Sequence, residues 1–217
     1  MPQVSSWSAP VISMRGVTKS FARGLARASR RTLAITDVDL EVYPGEVIVI
    51  SGDEGSGKTT LLQCACSILR SDEGAVKHAV ASYVAAVPVF YPFLTVRDVL
   101  ALRGAQPERV ETLIGAFDLK PFAAGVVANL SASAMKRLSI AEALVREPEA
   151  VLIDTSSFEV PSCTTVGAII GFGTAAVIAV RNCSSLARIA TRIICLEQGR
   201  IARTFNTSHS LVAERIH

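Results

Sequence analysis

The hydrophobic residues of this chain follow two rhythms. Val47-Ile48-Val49-Ile50, Ala150-Val151-Leu152-Ile153 and Ala175–Val180 are unbroken apolar runs, the pattern of strands buried on both faces of a parallel sheet. Ile35-Thr36-Asp37-Val38-Asp39-Leu40-Glu41-Val42 alternates apolar with polar residues instead, which predicts an exposed-edge strand. Shorter strands are expected at Val11–Gly16, near Ala79–Val87 and at Arg192–Leu196, with Gln198-Gly199-Arg200-Ile201 as a hairpin turn. Helical periodicity marks Val96–Leu102, and Pro107–Phe117 places Val110, Leu113, Ile114 and Phe117 on one face. From Ala134 to Val145 a third helix is apolar at Leu138, Ala141 and Leu144, basic at Lys136 and Arg137, and ends before Pro148. Its N-cap region is Asn129-Leu130-Ser131. Strands alternating with helices predict an α/β chain whose mostly parallel sheet is covered on both faces.

One apolar stretch is long enough to test against a membrane. Val160 to Val180 carries no charge, but Pro161, Gly167, Gly171 and Gly173 interrupt it. A short helix, a glycine turn and a buried strand fit it better than a span. The N-terminus has no basic region followed by an apolar run, so no signal peptide is expected. With 217 residues, half of them hydrophobic, the chain has material for one large α/β domain or two small ones. A net charge of +3 is too mild to argue for nucleic acid, and no aromatic–basic interleaving supports it. Arg23, Arg27, Arg30 and Arg31 form the only basic cluster, read as a solvated loop or as a contact for acidic lipid headgroups. The five cysteines are odd in number and mostly lie in apolar runs, which suits reduced, packed thiols better than a disulfide framework. Cys64 and Cys66 are spaced wrongly for a zinc knuckle.

The chemistry concentrates after the first apolar run. Gly52-Asp53-Glu54-Gly55-Ser56-Gly57-Lys58-Thr59-Thr60 follows a predicted strand and opens a predicted helix, which is the setting of a phosphate-binding loop. Gly52, Gly55 and Gly57 let backbone N–H groups turn onto phosphate oxygens where Cβ atoms would obstruct them. The helix N-terminus adds unpaired donors. Lys58 suits the β- and γ-phosphates, and the Thr59 hydroxyl suits Mg²⁺. Asp154 ends a buried strand; a carboxylate there faces the ligand crevice of such a sheet and can hold Mg²⁺ through water.

The order of these motifs resembles the nucleotide-binding subunit of ABC transporters over nearly the whole chain. The matches are Gly52–Thr60, the strand Val151–Asp154, Leu130-Ser131 with Arg137 in the signature-helix frame, the turn Pro44-Gly45-Glu46 and the closing Gln198-Gly199-Arg200-Ile201. The resemblance implies a P-loop NTPase-type sheet flanked by helices, with an antiparallel edge sheet and a short helical subdomain. One domain would span 1–217, its core about 1–87 and 136–217 and its helical part about 88–135. The implied ligands are ATP and Mg²⁺, with Gly52 to Thr60 on the phosphates and Thr59 and Asp154 on the metal. Phe21 would stack on adenine, and Ser131 would reach the nucleotide of a second, head-to-tail subunit. That subunit, identical or not, and a membrane permease docked at Pro88–Leu94 are the implied partners, at the cytoplasmic face of the membrane.

Departures from the family pattern fall on the residues that act on water. The family's glutamine at the start of the loop facing the membrane subunit is Ala86. Its LSGGQ signature reads Leu130-Ser131-Ala132-Ser133-Ala134. The glutamate expected after Asp154, the base for the attacking water, is Thr155. The D-loop aspartate is Pro161, and the switch histidine is Arg181. Asp53 and Glu54 add two carboxylates to the loop; Glu159 is a further carboxylate in the D-loop region. The resemblance therefore points to an ATP-binding subunit with little or no hydrolysis of its own. The alternatives are a transport ATPase with compensated motifs and a structural or regulatory module.

Overall fold

The computed structural model describes residues 9–23, 30–155 and 159–207. Two sheets organise them. The smaller is antiparallel: β1 (Ile12–Arg23) lies between β2 (Arg30–Val42) and β4 (Glu73–His78). The larger has six strands in the order β5-β6-β7-β3-β8-β9. Its strands are β3 (Val47–Ser51), β5 (Ala81–Val84), β6 (Ala150–Asp154), β7 (Ala175–Val180), β8 (Arg192–Glu197) and β9 (Arg200–Asn206). All pair in parallel except β8 with β9. That hairpin turns at Gln198 and Gly199, both at positive φ (46° and 78°), as tight antiparallel turns require.

The apolar runs sort by alternate residues, because successive strand side chains point to opposite faces. Ile48, Ile50, Leu152 and Val177 pack beneath the antiparallel sheet with Ile12, Met14 and Ile35 and with α1 (Lys58–Ala65). Val47, Val49, Val151, Ile153 and Ile178 face the other helices: α2 (Val96–Leu102), α3 (Pro107–Ala116), α4 (Ala132–Ala143) and α5 (Cys163–Gly171). Each large aliphatic side chain so buried contributes roughly 1.5–3 kcal/mol. Thr95 caps α2 in a reciprocal capping box with Asp98. Ser131 and Ser162 cap α4 and α5 through their hydroxyls.

Several expectations need revision. β1 runs seven residues past Gly16 and absorbs Val17–Phe21. β4 occupies Glu73–His78, a segment in which the sequence pattern predicts no strand. α1 is short, ending at Ala65, and Ser67 takes a left-handed φ of 55°. Of the basic cluster, Arg27 lies outside the described residues; Arg23 and Arg30 pair at the end of the β1–β2 ribbon rather than in a loop. The thiols are free, but Cys163 is exposed rather than packed. Val160–Val180 divides into α5, a glycine turn and β7 as expected, and no helix among the described residues is long and apolar enough to cross a membrane.

Candidate functional site

Strand order decides which loops meet. β6, β7 and β3 are neighbours and parallel, so Asp154, Arg181 and the loop after Ser51 emerge together at the carboxyl ends of the sheet, where ligands of open α/β sheets bind. Gly57 caps α1 at φ 102°. A Cβ there would stand 2.3 Å from the Ala34 carbonyl, and one on Gly52 would stand 2.3 Å from the Leu196 carbonyl. The loop therefore lies flat against the backbone of β2 and β8 only because these positions lack side chains. Gly57→Ala should lower unfolding stability by about 2–3 kcal/mol, since both the φ and the contact are strained; urea titration reads it.

Lys58 is buried and curls back over the loop. Its Nζ donates to the carbonyls of Gly52 (2.7 Å) and Asp53 (2.6 Å) and to Ser56 Oγ (3.2 Å). Burial lowers its pKa, opposed by the charges of Asp154, Asp53 and Glu54 and reinforced by Arg181. Next to it, Thr59 Oγ1 donates to Asp154 Oδ2 at 2.6 Å. Tyr83 Oη donates to the same oxygen at 3.3 Å, and burial together with the Asp154 charge pushes the Tyr83 phenol up to about 12. Asp154 is the last residue of β6, a strand buried along its whole length.

Two residues that hold Asp154 carried no sequence signal for the role. Tyr83 is one. The other is Lys136 on α4, read as part of a basic helix face but 1% exposed. Its Nζ donates to the carbonyls of Asp154 (2.7 Å) and Ala85 (3.0 Å), tying the ends of β5 and β6 to α4.

A cavity of about 390 Å³ opens over the loop, lined by Phe21, Glu54, Gly55, Lys58, Thr59 and Arg181 among others. Phe21 is 43% exposed, and Lys19 Nζ sits 5.8 Å from its ring centroid. Arg181 pairs with Glu54 at 3.0 Å across the mouth. The donor set at the base, a hydroxyl and a carboxylate 2.6 Å apart, is oxygen-only and fits Mg²⁺. Among the described residues no cluster of three or more His, Cys, Asp or Glu could hold a metal alone.

Other expected site residues do not reach this cavity. Ser131 Oγ accepts from the Ala134 N–H (3.2 Å) at the exposed start of α4. Glu159 lines a different cavity, of about 400 Å³, with Ser133 and Pro161. Thr155 is buried, and its hydroxyl donates to the Ala179 carbonyl at 2.6 Å. Ala86 lies two residues beyond the end of β5.

Comparison with known proteins agrees with this architecture. A family profile described as ABC transporter matches residues 35–157, more than half the chain. The zinc import ATP-binding protein ZnuC of Halorhodospira halophila is 28% identical over 181 residues, covering 77% of this chain and 70% of that protein. The aliphatic sulfonates import ATP-binding protein SsuB of Delftia acidovorans is 32% identical over 138 residues, covering 60% of this chain and 57% of that protein; the match thus spans little more than half of SsuB. A dimeric ATP-binding cassette in a post-hydrolysis state, bound to ADP and Pi, superposes with a TM-score of 0.74 at 24% identity, covering 90% of this chain and 98% of that one. The phosphate loop between β3 and α1, the carboxylate ending β6 and the family match over both together place this chain in the ABC transporter family, as an ATP-binding domain.

Proposed function

We propose that this chain is the nucleotide-binding subunit of an ABC transport complex that grips Mg·ATP but hydrolyses little or none of it unaided. The observation that carries this reading is a contrast between neighbours on one strand end. Asp154 points its carboxylate at Thr59, while Thr155, where the family has its base, spends its hydroxyl on the Ala179 carbonyl. A neutral hydroxyl is far too weak a base to take a proton from an attacking water, and the bond to Ala179 fixes this one on the backbone; a positioned general base contributes about 10²–10⁴ in rate.

On binding, the triphosphate replaces the loop's own carbonyls as the partner of Lys58, and the N–H groups at the start of α1 face its oxygens. The oxygens of Thr59 and Asp154 would hold Mg²⁺, which neutralises phosphate charge when bound. Phe21 at the cavity mouth would take the base. Asp53 and Glu54 oppose phosphate charge and weaken affinity. The same reading treats 1–217 as one nucleotide-binding domain with a helical part over about 88–135.

Docking of a permease is supported by the segment after β5. Val87, Val89, Tyr91 and Phe93 are all exposed, beside a groove of about 520 Å³ that Arg103 and Glu142 also line. Such a contiguous apolar surface suits a partner, which would hold the chain at the cytoplasmic face of the membrane. The ZnuC and SsuB relatives are named for import, which favours an import system. Ser131, remote from its own cavity, suits a nucleotide held by a second subunit, though Ala132 and Ser133 put side chains where backbone approach would be closest.

The test is saturable, Mg²⁺-dependent binding of a fluorescent ATP analogue by the full chain, with phosphate release slower than seconds-scale. Absence of binding would leave only a structural module; brisk turnover lost in Lys58→Ala would make it an ordinary ATPase. Thr155→Glu is expected to leave turnover undetectable while analogue binding persists, because Ala86, Arg181 and the altered signature remain. Robust hydrolysis by that single variant would refute distributed loss.

A further inference from the structure

Phe21 stands where β1 has least support from its neighbours. Among the described residues, β1 pairs with β4 no further along than Thr18 opposite Glu73. Its register with β2 shifts on both sides of Lys19. A single side chain makes up for the lost neighbour. Asp72, the residue before β4, accepts from Lys19 Nζ on Oδ1 at 2.9 Å. Its Oδ2 accepts from the Ser20 N–H at 2.8 Å and from Ser20 Oγ at 2.7 Å. The Asp72 N–H in turn donates to the Thr18 carbonyl at 2.8 Å. Bonds from Lys19 and Ser20 hold the Asp72 carboxyl far below the usual carboxylate range, so the clamp stays charged. Lys19 Nζ also lies 5.8 Å from the Phe21 ring centroid, within cation–π reach.

Lys19 and Ser20 are thus fixed by one carboxylate from a distant part of the chain, and Phe21 follows them directly. Asp72 belongs to the segment that joins α1 to β4, and α1 is the helix that the phosphate loop opens. The same segment therefore sets how far Phe21 stands from Lys58, and both line the cavity of about 390 Å³. A stacking surface adds affinity without an ordering cost only when it is already held at the right distance from the phosphate anchor. Resting on the nucleotide-binding reading above, we propose that Asp72 is a positioning residue for the base. By clamping Lys19 and Ser20 it holds Phe21 at the span a nucleoside triphosphate covers from the phosphate loop. Asp72 is not among the residues lining that cavity, so it acts through Phe21 and touches no ligand.

The test is isothermal titration, with Mg²⁺, of ATP and of tripolyphosphate into the full chain, Phe21→Ala, Asp72→Ala and the double variant. Tripolyphosphate carries the charges without the base. Loss of a stacked aromatic should make Phe21→Ala bind ATP at least about fivefold more weakly. Asp72→Ala should weaken ATP about threefold or more, short of the Phe21→Ala loss, and leave tripolyphosphate within about 1.5-fold. In the Phe21→Ala background the Asp72→Ala effect on ATP should shrink to less than about 1.5-fold. Thermal melts check folding; if the alanine variant does not fold, Asp72→Asn keeps the shape, loses the charge and should show the same split to a smaller degree. A merely structural role would weaken both ligands alike. Equal losses for ATP and tripolyphosphate, unchanged ATP binding, or an Asp72→Ala loss as large without Phe21 as with it would overturn the proposal. Failure of the unmodified chain to bind either ligand would overturn the nucleotide reading, and this one with it.

Discussion

Lys58→Ala should abolish measurable Mg·ATP binding, a loss of at least about 100-fold, since hydrogen bonds to a charged group are worth roughly 1.5–3 kcal/mol each. The lysine is the only side-chain ammonium at the base of the cavity among the described residues, and its three bonds to Gly52, Asp53 and Ser56 hold it where phosphate would arrive. The fold should survive. Water entering the cavity of about 390 Å³ can bond the two carbonyls that Lys58 leaves behind, so the melting temperature should move by less than about 4 °C. Isothermal titration and a thermal melt of the same preparation separate the two effects. Binding within threefold of the unmodified chain would mean that the phosphate site lies elsewhere.

Lys136 should produce a large pH effect on stability. Burial lowers its pKa from 10.5 to about 8, with the Asp154 charge opposing the shift. In the unfolded chain it returns to the ordinary lysine value. Below pH 8 both states hold the proton, and above about 10.5 neither does. Between these limits the unfolded chain binds more protons, so raising the pH favours the folded state. Relative to Lys136→Met, which has no ionisable group there, the unmodified chain should gain on the order of 3 kcal/mol from pH 8 to 10.5. Tyr83 and Cys66, both pushed up to about 12, titrate above this window in the folded chain, and the comparison with the variant cancels the rest. Urea titrations at several pH values measure it. A stability difference independent of pH would mean that the ammonium is not desolvated.

The two carbonyls that Lys136 joins belong to the residue before Ala86 and to Asp154 itself. This clamp makes the position of α4 depend on strand ends that carry the candidate metal site. That link is mechanical, and it exists here only because α4 crosses above β5 and β6.

Whatever depends on neighbours along the chain was legible without coordinates. Val47–Thr60 is strand, loop and helix in consecutive residues, so its glycines, Lys58 and Thr59 are placed by local geometry. The buried runs of β6 and β7 are long and apolar enough to be strands in any parallel sheet, and Asp154 ends one of them. The α2 and α3 boundaries follow from Thr95-x-x-Asp98 and from Pro107 at a first turn. β4 was not legible, because Glu73–His78 is nearly all exposed and shows no alternation; it is a strand only because β1 offers it an unpaired edge.

The sequence by itself thus determined the α/β architecture, the phosphate loop and the strand carboxylate, all products of short-range pattern and chain connectivity. Only the tertiary structure decided that Lys136 is buried, that Thr155 bonds backbone, and that Glu54 meets Arg181. Each of these contacts spans between 18 and 127 positions. They are set by the order in which parallel strands line up, and hydrophobic periodicity carries no information about that order.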